Sequence, residues 1–449
     1  MSVSGLPAFP PERVLRLEAV AAAERQRLAG PTPGLRELKV GAIWTFLRRQ
    51  PPSYWLVMIY LLFEYVRPQV IYDWFFGPPY VQIVMILCIF AFLLERRRLR
   101  LGIMEALLAV FSAVVLASAV GAFYPNIAYD RLSLYFTWVV IYLMIANAVD
   151  TEERFLLFVF AFILYSLKMS LFGTRSWAMA GFVFREWGAS GAPGFFRNSG
   201  EFGIQMCIFL PIIVAFIQGL GAHWPRWKRW VAWAAAFTAV TGIVASSSRG
   251  AFIGLAAVAL WMALKSGRKI RAFLAVAVIA GIVYVITPIE QKQRLEMMGE
   301  DPTSISRTTF WKNGIEMMND NPALGIGYYN WVPYHSAYYG SPAYPHNIFV
   351  QAGAELGYVG LLAFLVLMGA TFVLNKKTRQ LAKRRGDEGR FMFMMAHGLD
   401  GAMIGFIASG FFVTVLYYPF FWINLAMTVA LHNAALSRSS FDRANAYTA

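Results

Sequence analysis

The sequence predicts an all-α, polytopic membrane protein of about twelve transmembrane helices, with a large extracytoplasmic loop, itself partly helical, between the ninth and tenth spans. Composition is the first reason. Of 449 residues, 58% are hydrophobic and 14% charged, whereas soluble chains run at roughly 45–50% apolar and about 25% charged. The second is that the apolar residues fall into runs close to the length of about 20 residues needed to cross a bilayer. A helix satisfies its own backbone hydrogen bonds in lipid, so each run reads as a helix. The third is the placement of Lys and Arg, which alternates from one side of the runs to the other.

The runs lie at 54–72, 79–94, 103–123, 132–149, 155–172, 201–221, 230–246, 250–265, 271–288, 353–374, 391–411 and 418–436. The first is interrupted by Glu64, Arg67 and Pro68, and the pair around Arg249 is short. With a cytoplasmic N-terminus and alternating spans, 29 of the 40 Lys and Arg residues fall in cytoplasmic segments. Both termini are then inside, and the net charge of +15 reflects topology and attraction to anionic lipid rather than nucleic-acid binding. Cys88 and Cys207 each sit in an apolar run, which argues against a disulfide framework. No removable signal peptide is evident, so the first spans are expected to direct insertion.

This divides the chain into a basic cytoplasmic extension (1–53), a transmembrane domain (54–436) containing the large extracytoplasmic loop (289–351), and a short cytoplasmic tail (437–449). In the extension, 12–28 has helix-forming composition. Segment 35–49 mixes apolar and basic residues as a surface-lying helix does; a solvated tail is the plain alternative.

The loop at 289–351 is longer than structureless loops usually are and rich in aromatic residues. Phe310, Trp311, Ile315 and Met318 recur at near-helical spacing, predicting a helix over 305–319 that stops at Asn319-Asp320-Asn321-Pro322. A second outside loop, 173–200, carries Arg175, Arg185 and Arg197 among glycines.

Three residues in these outer segments are candidates for chemistry. Arg249, in Ser246-Ser247-Ser248-Arg249-Gly250, stands between two apolar runs, where an arginine is costly and marks function by default. Its planar guanidinium suits phosphate oxygens; the plain alternative is a turn arginine reaching the interface. Arg307 falls in the first turn of the predicted loop helix. A cation there opposes the helix dipole but can join free backbone N–H groups in holding an anion. His346, in Tyr344-Pro345-His346-Asn347, titrates in the range that lets it accept a proton near neutrality; His335 competes for that role. Arg197 and Arg175 are possible auxiliaries. No Asp-x-Asp pair faces outside, and no His/Cys metal spacing or Gly-rich nucleotide loop is present, so neither metal nor cofactor is expected. Tyr328, Tyr329, Trp331, Tyr334, Tyr338, Tyr339 and Tyr344 suit either sugar faces or an interfacial aromatic belt.

The order of these pieces carries a resemblance. Ser248-Arg249-Gly250 is followed by Ser306-Arg307-x-x-x-Trp311, Asn321-Pro322-x-Leu324-Gly325-x-Gly327 and His346-Asn347, with Gly353 and Glu355-Leu356-Gly357 opening the next span. This resembles the bacterial O-antigen ligase and O-antigen polymerase superfamily over about residues 200–375. The resemblance implies a bacterial inner-membrane, lipid-diphosphate-dependent glycosyltransferase. Its donor would be a glycan on undecaprenyl diphosphate, its acceptor a glycan, lipid or protein, and its setting the bilayer. Arg249 and Arg307 would hold the diphosphate and His346 would be the catalytic base. Ligase and repeat-unit polymerase are not distinguished, and a lipid-linked oligosaccharide flippase is the rival of another class, kept open by Glu64 and Lys168 inside predicted spans.

Overall fold

The structure is a computed structural model, and it describes residues 32–96, 99–183, 188–286 and 302–446. Every regular element among them is helical. In chain order the helices are α1 (Val40–Leu47), α2 (Pro52–Tyr65), α3 (Pro68–Ile71), α4 (Tyr80–Leu94), α5 (Ile103–Val120), α6 (Pro125–Ala148), α7 (Glu152–Met179), α8 (Ser199–Leu220), α9 (Arg226–Ala245), α10 (Arg249–Lys265), α11 (Lys269–Ile286), α12 (Pro302–Asp320), α13 (Trp331–Tyr339), α14 (Ile348–Lys383), α15 (Arg390–Gly410) and α16 (Pro419–Ala446).

Each expected span overlaps helical residues, but among the described residues seven segments, against the twelve expected, are long and apolar enough to cross a membrane: Ile103–Val120, Pro125–Ala148, Glu152–Met179, Ser199–His223, Ile348–Lys383, Gly386–Gly410 and Pro419–Ser437. The chain is thus a polytopic helical membrane protein. The expected span at 54–72 is not continuous. Helix α2 stops at Tyr65 because Arg67 takes a left-handed conformation (φ 53°, ψ 51°) just before Pro68, a residue that disfavours helix in its predecessor. Its 14 residues cover about 21 Å, short of the roughly 30 Å hydrocarbon core. Conversely, α7 runs to Met179, beyond the expected end at 172, because nothing in Gly173-Thr174-Arg175-Ser176 breaks it. Arg175 therefore lies exposed on a helix and not in the predicted loop. The helix expected at 12–28 lies outside the described residues.

Helix α8 is almost wholly buried and packs most extensively on α15, with α9 and α10 also against it. Small residues make the approach possible. A β-carbon at Gly398 would come within 2.5 Å of the Ala215 β-carbon, and one at Gly405 within 2.9 Å of the Cys207 carbonyl oxygen. In lipid, where burial of apolar surface does not drive helices together, such close contact is what does.

At one end of the bundle the segments expected to be cytoplasmic hold one another. Arg36 and Arg385 both pair with Glu152 (2.6 and 3.1 Å), and Trp224 Nε1 donates to the Arg36 carbonyl. The Thr32 amide donates to Glu153. Residues 32–39 are therefore docked rather than a solvated tail. At the opposite end lie the turn before α10, helices α12 and α13, and the connection between α15 and α16.

Candidate functional site at one end of the bundle

Helix α9 ends at Ala245, and Ser246 turns the chain by returning its hydroxyl to the Ile243 carbonyl (2.7 Å). Ser247 is left-handed (φ 52°), which lets α10 begin at once with half-buried Arg249 as its first residue. Gly250 follows because the Phe412 β-carbon would stand 2.8 Å from any β-carbon there. The Arg249 side chain crosses to the loop domain, where Nη1 donates to Ser304 Oγ (3.3 Å).

Ser304 stands one helical turn before Arg307 on α12, the helix predicted at 305–319 and observed at Pro302–Asp320. Trp311, one turn further, donates through Nε1 to the Pro345 carbonyl (3.0 Å). That bond fixes the residue before His346. The histidine itself is left-handed (φ 48°), and its backbone N–H donates to Thr414 Oγ1 (3.0 Å). Asn347 then caps α14 by accepting from the Phe349 and Val350 amides (2.9 and 3.1 Å). Burial, together with the nearby positive charge of Arg307, pushes the His346 imidazole down to about 4. Arg249, Arg307 and His346 thus belong to one neighbourhood at this end of the bundle: Arg249 through Ser304, Arg307 through its field on the imidazole.

The glycine-rich motifs serve as the frame. Helix α14 is broken at Gly357 (φ 70°, ψ −174°), a conformation open essentially only to glycine. The break frees carbonyls that would otherwise be spent inside the helix. Ile326 N–H donates to the Ala354 carbonyl (2.8 Å), Gly327 N–H to that of Glu355 (3.2 Å), and Tyr358 N–H to Pro322 (2.8 Å). Glu355 is buried and accepts from Tyr417 Oη (2.8 Å) and the Trp331 amide (3.2 Å). Asn321-Pro322 through Gly327 and Glu355-Leu356-Gly357 together bolt the loop domain to the membrane helices.

Of the other predicted candidates, His335 is enclosed. Its Nδ1 is 2.7 Å from the Ser341 carbonyl, its Nε2 is 3.1 Å from Asn313 Nδ2, and its ring stacks on Trp331 and Tyr339. Both ring nitrogens are taken up in the core of the loop domain. Arg197 is exposed in the loop before α8, and Arg175 lies one helix earlier; neither is joined to Arg249, Arg307 or His346 by any hydrogen bond found here among the described residues. Arg185 lies outside the described residues. Sequence reasoning missed Ser304 and the segment 411–418, whose Phe412 and Thr414 meet Gly250 and His346. The signal available was Tyr417-Tyr418-Pro419 at an expected outer turn. Among the described residues no group of three or more His, Cys, Asp and Glu is placed to hold a metal ion.

Residues 233–365 match the protein family described as O-antigen ligase, Wzy_C, a stretch that contains Arg249, Arg307, His346 and the Gly357 break. The exopolysaccharide production protein ExoQ of Rhizobium meliloti (strain 1021) is 26% identical over 213 residues, which is 44% of this chain and 49% of that protein. The chain spans about half the length of this curated relative. A solved chain, from work on structural coordination of polymerization and crosslinking by a peptidoglycan synthase complex, aligns with TM-score 0.41 at 15% identity, over 74% of this chain and 97% of that one. So loose a likeness fixes nothing further. The stretch that carries the candidate site, residues 233–365, is thus similar to the O-antigen ligase family, and it lies within a polytopic helical membrane protein.

Proposed function

We propose that this protein transfers a glycan from undecaprenyl diphosphate to an acceptor hydroxyl on the extracytoplasmic face, with inversion and without a metal. The observation that supports the reading most is that Arg249 bonds Ser304, one turn from Arg307 on α12, while Trp311 on the same helix holds the residue before His346. The acceptor oxygen attacks the anomeric carbon, the bond from that carbon to the diphosphate oxygen breaks, and its electron pair leaves with the diphosphate. Arg249 and Arg307 offset the charge that builds there, and His346 takes the acceptor proton. Energy comes from the diphosphate linkage itself.

A second reading within the family, repeat-unit polymerase, is supported by the name of the relative, which concerns exopolysaccharide production. Supplying purified protein with lipid-linked repeat units and no other acceptor separates the two: a ladder of longer lipid-linked chains means polymerase, and an unchanged donor that is consumed only when a foreign acceptor is added means ligase. A protein that exchanges lipid-linked oligosaccharide between leaflets without bond breakage would sink both in favour of a flippase.

A further inference from the structure

The transfer proposed above needs a place for a second saccharide, and this inference rests on that reading. The structure sorts the seven loop aromatics. Tyr328 and Trp331 are fully buried. Tyr334 and Tyr338 stack on each other (4.3 Å between ring centres) beside Phe123. Tyr339 stacks over His335 and donates to Glu316 (3.0 Å). Tyr329 and Tyr344 remain. Tyr344 is 54% exposed, yet its ring is 6.5 Å from the His346 ring.

Two other segments add to this pair. Tyr418 packs edge-on against Phe195 (4.9 Å), and its hydroxyl reaches the Glu201 carboxylate. Tyr329 lies against Tyr417, the residue before Tyr418, with 5.7 Å between ring centres. Arg131 lies over the Tyr329 ring at 5.1 Å. Glu201 accepts from the Asn198 amide at the start of α8 (3.0 Å), leaving further lone pairs on a carboxylate that has four such positions. An aromatic belt is built from residues facing lipid one by one. Here Tyr344 stands by the imidazole, while Tyr329, Tyr418 and Phe195 line the 411–418 connection, whose Thr414 also holds the His346 backbone. Aromatic faces are negative and attract the polarised C–H groups of a sugar ring, and a carboxylate accepts from its hydroxyls.

We propose that Phe195, Tyr329, Tyr344 and Tyr418, with Glu201, form a subsite that binds the acceptor saccharide and presents its hydroxyl to His346. The test uses the full chain in nanodiscs and two probes. One is undecaprenyl diphosphate. The other is the free glycan released by mild acid from the lipid-linked pool of the same cells. Tyr344→Ala, in an exposed segment, and Tyr418→Phe, which keeps the ring, should each weaken glycan binding about tenfold and leave binding of undecaprenyl diphosphate unchanged. Arg307→Ala should do the reverse. Parent-like glycan affinity in both tyrosine variants overturns the subsite, as does a parent that binds the diphosphate lipid and no released glycan. A parent that binds neither overturns the transferase reading as well.

Discussion

As the proposed base, His346 is unusual because its surroundings favour the neutral form so strongly. Its imidazole is brought to about 4 by burial first and by Arg307 second. A depressed value means the neutral, proton-accepting form persists well below the pH at which a free imidazole charges, and is lost only as pH falls through the lowered value. The acid limb of kcat/KM, which reports the free enzyme, is therefore expected near pH 4 rather than near 6.5. A bound diphosphate faces Arg307 and adds negative charge, so the limb in kcat should lie at higher pH than the limb in kcat/KM. Arg307→Ala removes one of the two causes, and the kcat/KM limb of the residual activity should rise. A limb that stays in place in that variant would mean the two side chains do not interact. Removal of either arginine should also lower kcat by about 10²- to 10³-fold, as loss of one preorganised charge does, measured by single-turnover transfer. These three residues were legible as candidates: a cation between two spans, a cation expected in a first helical turn, a histidine at the mouth of a span; because α12 begins at Pro302, Arg307 in fact stands in its second turn. Ser304 and Thr414 were not. They are ordinary hydroxyls, and Thr414 earns its contact only because a chain segment 68 residues away from His346 folds back upon it.

At the scale of elements, the break in α14 is what turns a sequence motif into a joint. Gly357 can be only glycine there: its φ is 70° and ψ −174°, and a β-carbon would come within 2.6 Å of the Ala323 carbonyl carbon. Gly357→Ala should therefore lower stability by about 1–3 kcal/mol from the backbone alone, with the clash added, and should cost activity by shifting the loop domain against His346. Gly369 on the same helix has nothing within 4 Å of where its β-carbon would be, so Gly369→Ala should be neutral or slightly stabilising. Thermal unfolding of both variants in detergent decides this, and equal midpoints would contradict it. The helix over 305–319 and its stop were readable from spacing and from Asn-Pro chemistry. The joint was not, because its hydrogen bonds run between Ile326, Gly327 and the broken turn of α14, and no local pattern announces a long-range backbone pairing. The premature end of α2 was half legible: Pro68 was visible, whereas the left-handed Arg67, held by Nη1 on the Pro193 carbonyl (2.9 Å), was not.

For the whole molecule, hydropathy located the helices and charge predicted their direction. The structure adds that the basic segments assigned to one side do gather at one end, with Arg36 and Arg385 sharing Glu152, and that the candidate residues gather at the other. Sidedness itself is a prediction. Both native cysteines are buried, so single introduced thiols can report it. Lys312→Cys on exposed α12 should react with an impermeant maleimide in intact spheroplasts, and Lys377→Cys near the far end of α14 only after permeabilisation. Labelling of both from the same side would overturn the topology. Span lengths were the least legible feature, because α2 and α4 are shorter than a bilayer and α7 continues past it; where a helix stops depends on what packs around it and not on its apolar content alone.

The most direct measurement of the central claim is transfer by the purified protein in proteoliposomes, given a defined undecaprenyl-diphosphate oligosaccharide and excess chelator, with the products read by mass and by anomeric NMR. Parent protein should form a new glycosidic bond of inverted configuration, and His346→Ala protein, folded to the same melting temperature, should form it at least about a hundredfold more slowly. Retained configuration, or parent-like turnover by the His346→Ala protein, would contradict the account.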